Sequence, residues 1–226
     1  MSERIKDRLV TARDLCHGKR VLDIGGQLMP AGSTDSGFAQ SGRSLMQLLG
    51  LESKDPSQSR FAKLYRSIGE GAKEHRVVDY HDVPPGHFEI DFNKTGSPEK
   101  LRRAIDEMKP EVILCMETLE HVNYRYEMMN EMARSVALYN TTVLISIPNN
   151  ANWFLNALGW NCDHSVAFFK DIAERFVVRS DLGQHDVKMF GCMQQYFWLW
   201  RVIYAMTLFQ PFSWAFLIKP KANATV

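Results

Sequence analysis

The sequence predicts an α/β fold, with a mostly parallel sheet of seven strands, helices on both faces and an antiparallel strand at the edge. Two observations predict it. Short apolar runs alternate with segments of helical spacing along most of the chain, as strands buried on both faces and joined by crossover helices do. The last two strand candidates are not separated by an ordinary crossover helix alone, which fits an antiparallel strand at the edge. The 226 residues, 45% hydrophobic and 23% charged, suffice for one core without staples. No repeat or linker divides them, so a single domain over 1–226 is expected.

Each element has a local reason. Residues 1–17 read as a helix with Ile5, Leu9, Val10 and Leu15 as its apolar positions. A strand over 19–24 runs into Gly25-Gly26, a pair that marks a tight turn. Residues 27–37 are a loop, 38–51 a helix, and 61–68 a second helix with Phe61, Leu64, Tyr65 and Ile68 at helical spacing. Strands follow at 76–79 and 87–92. A helix over 97–108 starts with Ser97 as N-cap and Pro98 in the first position. Residues 111–116, apolar from Val112 onward, are a buried strand, 126–138 a helix, and 142–147 a β-branched strand stopped by Pro148-Asn149. Residues 168–175 form a helix, 176–179 a strand and 214–218 the last strand. A lid-like insertion at about 28–75 and an apolar C-terminal helix at about 191–209 stand outside this rhythm. Arg201 interrupts the latter and argues against a membrane span; a helix packed on the sheet and a peripheral membrane or homodimer face stay open for it.

The charge is nearly balanced, 27 basic against 26 acidic residues, net +1. That gives no footprint for a nucleic-acid backbone, so a small-molecule partner and no nucleic acid are expected. Cys16, Cys115, Cys162 and Cys192 are scattered, with neither zinc spacing nor a disulfide framework. This usage, together with a charged N-terminus lacking an apolar stretch, makes the expected location cytoplasmic.

Ligands of open α/β sheets bind beyond the carboxyl ends of the strands. Those ends carry Asp23-Ile24-Gly25-Gly26, Asp79, Asp91-Phe92 and Met116-Glu117. Repeated carboxylates at the ends of buried strands are costly unless they accept hydrogen bonds. A nucleoside with a cationic tail supplies them: ribose hydroxyls, an adenine amino group and an ammonium.

The run Val21-Leu22-Asp23-Ile24-Gly25-Gly26 resembles the first motif of class I S-adenosylmethionine-dependent methyltransferases. The run Ile113-Leu114-Cys115-Met116-Glu117-Thr118-Leu119-Glu120-His121-Val122 resembles the fourth-strand segment of that family's small-molecule branch. Leu144-Ile145-Ser146-Ile147-Pro148-Asn149 is similar to the fifth strand, and Asp163-His164 followed by Phe168-Phe169 to the region after it. The resemblance spans roughly 18–182. It implies a Rossmann-like sheet and S-adenosyl-L-methionine as cofactor. It further implies that Asp23, Gly25 and Gly26 line the methionine end and that Asp79 holds the ribose, with Asp82 as a nearby substitute. Asp91 and Phe92 would frame the adenine, and Met116 and Glu117 would lie beside the cofactor. The sequence departs from the motif at Gln27, where the family has glycine.

Methyl transfer to an oxygen or nitrogen needs a group that takes a proton, a task suited to histidine. His164 is the first candidate and His121 the second. No metal is assigned, although His81, Asp82 and His87 are near one another in sequence. Two other readings stay open. One is a methyltransferase-like binding or scaffold protein without catalysis. The other is a nicotinamide-dependent reductase, whose fingerprint would need glycines where Gln27 and Pro30 stand. The aromatic segments around Trp153, Phe154, Trp160 and 196–200 are candidate lining for an acceptor pocket.

Overall fold

The computed structural model describes residues 6–26, 60–80, 83–152, 168–193, 205 and 210–221. His164, Gln27, Asp82, Trp153, Phe154, Trp160, most of the expected insertion and all but four residues of the expected C-terminal helix lie outside that set.

The described elements are, in chain order, β1 (Lys6–Asp7), α1 (Arg8–Cys16), β2 (Arg20–Ile24), α2 (Arg60–Gly71), β3 (Glu74–Asp79), β4 (Phe88–Glu89), α3 (Ser97–Met108), β5 (Val112–Met116), α4 (Arg125–Tyr139), β6 (Thr142–Pro148), α5 (Lys170–Arg179), β7 (Asp186–Met193) and β8 (Ser213–Lys219). They build one eight-stranded sheet in the order β1-β7-β8-β6-β5-β2-β3-β4. Every neighbouring pair is parallel except the two made by β8, which runs against both β6 and β7. The reversed strand therefore lies toward one end of the sheet, with β7 and β1 outside it.

Two layers of helices cover the sheet. On one face α1 and α2 bury Leu9, Ala12, Cys16 and Ile68 against Val21, Val112, Leu114 and Leu144. On the other, α3, α4 and α5 bury Leu101, Ile105, Met128, Met132, Val136, Ala173 and Val177 against Leu22, Ile24, Val78, Ile113 and Ile145. In α3 the buried residues Leu101, Ala104, Ile105 and Met108 recur at helical spacing, and each large one removed from water contributes about 1.5–3 kcal/mol. Alternate residues of β2, β5 and β6 serve opposite layers, which is why these strands read as unbroken apolar runs.

Several elements differ from expectation for physical reasons. Residues 176–179 are the last turn of α5, not a strand: Ala173, Phe176 and Val177 face the core at helical spacing, and that period outweighs a short β-branched stretch. The strand expected there is β7, where Val187 and Met189 pack toward one core and Phe190 and Cys192 toward the other. Gly191, Cys192 and Met193 thus belong to a strand rather than to an apolar helix. The eighth strand, β1, comes from residues expected to be helical; Asp7 caps α1 by accepting the amides of Leu9 (2.9 Å) and Val10 (3.1 Å). Gly96, not Ser97, precedes α3, with Ser97 already inside it. β4 is two residues long, so Asp91 stands beyond the strand instead of ending it.

Candidate active site

The winding of the sheet reverses between β2 and β5. From β2 the chain moves outward to β3 and β4, then returns to β5 on the other side of β2 and moves outward to β6. At such a switch point the connections leave in opposite directions and a crevice opens at the carboxyl ends. Ile24 pairs with Val78 and Cys115, which sets Gly25 level with Asp79 and Met116. The sheet thus brings the ends of β2, β3 and β5 to one rim.

Gly25 has φ +72°, and its amide donates to the Val78 carbonyl at 2.8 Å. A methyl group on it would also collide with the Thr118 side chain. Glycine is required there twice over, by backbone sign and by space. The facing position on β5's exit, Glu117, is also left-handed (φ 53°), and its amide donates to the Ser146 carbonyl at 2.9 Å. A non-glycine residue in that region costs about 1–2 kcal/mol and persists only where its surroundings hold it. Thr118 Oγ1 lies 3.1 Å from the Ile24 carbonyl and 3.2 Å from that of Met116, so one hydroxyl joins the two turns.

Asp23 is buried on the α1/α2 face. Its Oδ2 accepts the Tyr65 hydroxyl at 2.5 Å and lies 3.4 Å from His75 Nε2. Burial and the Asp23 charge raise the Tyr65 phenol well above its usual range, which keeps it a donor. The same two influences, in the same order, push the nearby Cys16 thiol up to about 12.

Asp79 is half-buried at the end of β3, and its Oδ1 accepts the amide of Tyr80 at 2.7 Å. Tyr80 itself is 65% exposed beside it. The carboxylate of Asp91 accepts the Asn93 amide at 3.0 Å and pairs with Lys94 at 3.3 Å. Those contacts, the amide first, hold it below the ordinary carboxylate range. Phe92 is buried in the core shared by α3 and α4, under the rim rather than on it. Met116 is half-buried against the α1/α2 core.

Glu117 turns toward α1. Its Oε1 lies 2.7 Å from Arg8 Nη1 and accepts the Ser146 hydroxyl at 2.9 Å. Glu120, one turn on, is fully buried; burial first and Glu117 second raise its pKa well above the carboxylate range. His121 is exposed on the rim, with Nε2 3.8 Å from Glu120 Oε1. Past β6, Asn149 Nδ2 donates to the Pro211 carbonyl (2.9 Å) and Asn150 Oδ1 accepts the Phe168 amide (2.8 Å). These bonds tie the exit of β6 to the entries of β8 and α5.

No family model matches the chain, and no curated protein matches its sequence. Solved structures do match. One is an S-adenosylmethionine-dependent methyltransferase from Mesorhizobium loti, with TM-score 0.49 and 9% identity over 93% of this chain and 95% of that one. Another is the methyltransferase domain of bacterial CtHen1, with TM-score 0.43 and 14% identity over 96% and 98%. A third is the small RNA methyltransferase HEN1, with TM-score 0.46 and 12% identity over 99% of this chain and 27% of that one. The fold is Rossmann-like. Likenesses this distant assign no acceptor and no residue role. The Mesorhizobium loti protein carries in its name the cofactor expected from the sequence, S-adenosylmethionine.

One expectation is corrected by them. The balanced charge was read as excluding nucleic acid, yet a small RNA methyltransferase is among the matched folds. Net charge is an average over the whole surface and does not report a local patch. The peripheral membrane contact left open for the C-terminal segment gains no support: that segment lies almost entirely outside the described residues, among which no helix is long and apolar enough to cross a membrane.

The sheet brings Gly25, Asp79, Met116 and Glu117 to one rim, with Asp91 and His121 past the ends of β4 and β5. It sets Asp23 and Phe92 beneath. Sequence reasoning missed Tyr65, His75, Arg8 and Thr118. Tyr65 carried a signal, because a tyrosine on the buried face of a helix needs a partner for its hydroxyl. His75 and His87 are both half-buried, and His87 Nδ1 accepts the Val77 amide at 2.9 Å. Arg8 gave no local signal, since its partner is 109 residues away in the chain.

Proposed function

We propose that this chain is an S-adenosylmethionine-dependent methyltransferase that moves a methyl group to an oxygen or nitrogen of its acceptor. The observation that carries the reading is the left-handed Gly25 turn at the β2/β5 switch point, level with the Asp79 carboxylate one strand away. A bare backbone turn admits the methionine end of the ligand closely, and a carboxylate one strand over is placed for both ribose hydroxyls.

In this reading Asp79 accepts the ribose, and Asp91, kept ionised by the Asn93 amide and Lys94, accepts the adenine amino group. Met116 and Glu117 border the methionine end, and Asp23 supports the turn from below. The cofactor, when bound, supplies a methyl activated by its sulfonium. What remains for the protein is alignment, exclusion of water and removal of the acceptor's proton. His164 or His121 takes that proton.

Calorimetric titration with S-adenosylmethionine, S-adenosylhomocysteine and NADPH tests the reading. Binding of the first two and not the third supports it. Binding of NADPH alone turns it to a reductase, and binding of none leaves a scaffold. Transfer of labelled methyl, offered in parallel to small-metabolite fractions and to RNA, then identifies the acceptor class. Alanine at His121 or His164 should cut turnover far more than cofactor affinity; two variants with wild-type rates would remove both from the mechanism.

A further inference from the structure

We propose that Tyr65 is a positioning residue for the cofactor turn, fixing Asp23 and the backbone of Gly26 in the form that receives the methionine end. The inference rests on the function proposed above. Tyr65 touches the turn at two points. Its hydroxyl donates to Asp23 Oδ2 at 2.5 Å. A methyl group built on Gly26 would come within 2.5 Å of that same hydroxyl and of Asp23 Cγ, so both groups lie against the open face of the glycine.

The contact grips the residues on either side of the Ile24-Gly25 step. A buried carboxylate is costly unless charge-assisted hydrogen bonds hold it, and Tyr65 supplies the shorter of the two contacts to Asp23 Oδ2, His75 Nε2 being 3.4 Å away. Burial beside this carboxylate keeps the phenol protonated, so the bond persists across the pH range in which the chain would work. Tyr65 comes from α2, which closes the long connection between β2 and β3. The packing of α2 on the sheet is thereby transmitted to the turn.

The test is a double-mutant cycle on the full chain, with S-adenosylmethionine as probe. Tyr65→Phe should weaken cofactor binding about ten-fold and raise the cofactor KM alike, with kcat within about two-fold of wild type. Asp23→Asn should weaken binding as well. The double variant should be no worse than Asp23→Asn alone, because the two residues act through one bond. A Tyr65→Phe protein that binds normally and shows only a lowered melting temperature overturns the proposal, as does an additive double variant. Should Tyr65→Phe fail to fold, Asp23→Asn with Tyr65 intact decides: unchanged affinity overturns the proposal. Failure of the wild-type protein to bind the cofactor is a separate result and removes the functional reading itself.

Discussion

Arg8 Nη1 lies 2.7 Å from Glu117 Oε1, and this ion pair joins the first turn of α1 to the left-handed residue that follows β5. Both side chains are close to nine-tenths buried. The Ser146 hydroxyl also donates to Glu117 Oε1, and the Ser213 hydroxyl is 3.5 Å from Arg8 Nη1, so β6 and β8 share the clasp. Removing the arginine leaves Glu117 with a buried charge and a strained backbone. Arg8→Met should lower unfolding free energy by about 3 kcal/mol, measured by urea denaturation. The double variant with Glu117→Gln should recover part of the loss, since neither charge is then stranded. A single variant as stable as wild type would show that the pair holds nothing in place.

Gly25 gives the sharpest test of the turn. Alanine there must adopt φ +72° and meet Thr118 as well. The backbone term alone costs about 1 kcal/mol, and the contact adds to it. Gly25→Ala should lose measurable cofactor binding in calorimetry and melt below wild type. Coupling it to Thr118→Ser removes the methyl near the new side chain and should restore some stability but little binding. Normal affinity in Gly25→Ala would mean that the ligand does not approach this backbone.

The buried Glu120 carboxyl sets a pH dependence whose sign can be worked out. Burial raises its pKa in the folded protein, with Glu117 adding to the effect. Above the ordinary carboxylate range the unfolded chain has released this proton while the folded chain retains it. Stability therefore falls as pH rises through that window, and is greatest below it. Glu120→Gln removes the titration while keeping a polar side chain of the same size. The variant should match wild type in acid and exceed it at neutral pH, with a flatter profile of urea midpoint against pH. Parallel profiles for the two proteins would place the titrating group elsewhere.

How far the sequence could be read follows from which forces are local. β2, β5 and β6 were legible because strands buried on both faces must be apolar throughout, and α3 because its buried residues keep a strict helical period. The final turn of α5 was misread because the run from Phe176 to Arg179 is short and β-branched, and only the period extending back to Ala173 identifies it as helix. β7 was missed since Gly191 interrupts its alternation and the residues after it continue as an apolar run. At the site, Gly25 and Asp79 announced themselves by position at strand ends. The grip of Tyr65 on Asp23 and of Arg8 on Glu117 did not, because each joins residues that only the folded sheet brings together, 42 and 109 positions apart.

Asp79 is the residue at which the proposed ribose contact can be tested. Its Oδ1 is occupied by the Tyr80 amide, a bond that asparagine can keep through its own oxygen. Asp79→Asn therefore preserves the local turn and removes the charge and one acceptor. The melting temperature should stay within about 2 °C of wild type, because the side chain is half-exposed and its amide contact survives. Affinity for S-adenosylmethionine should fall about ten-fold or more, the cost of losing a charged acceptor to paired hydroxyls. Adenosine competing for the same site should lose affinity in proportion, whereas methionine should not, which assigns the loss to the ribose end. If Asp79→Asn binds as wild type does and Asp82→Asn does not, the ribose is held by Asp82, three residues further along the chain, and Asp79 serves the turn alone.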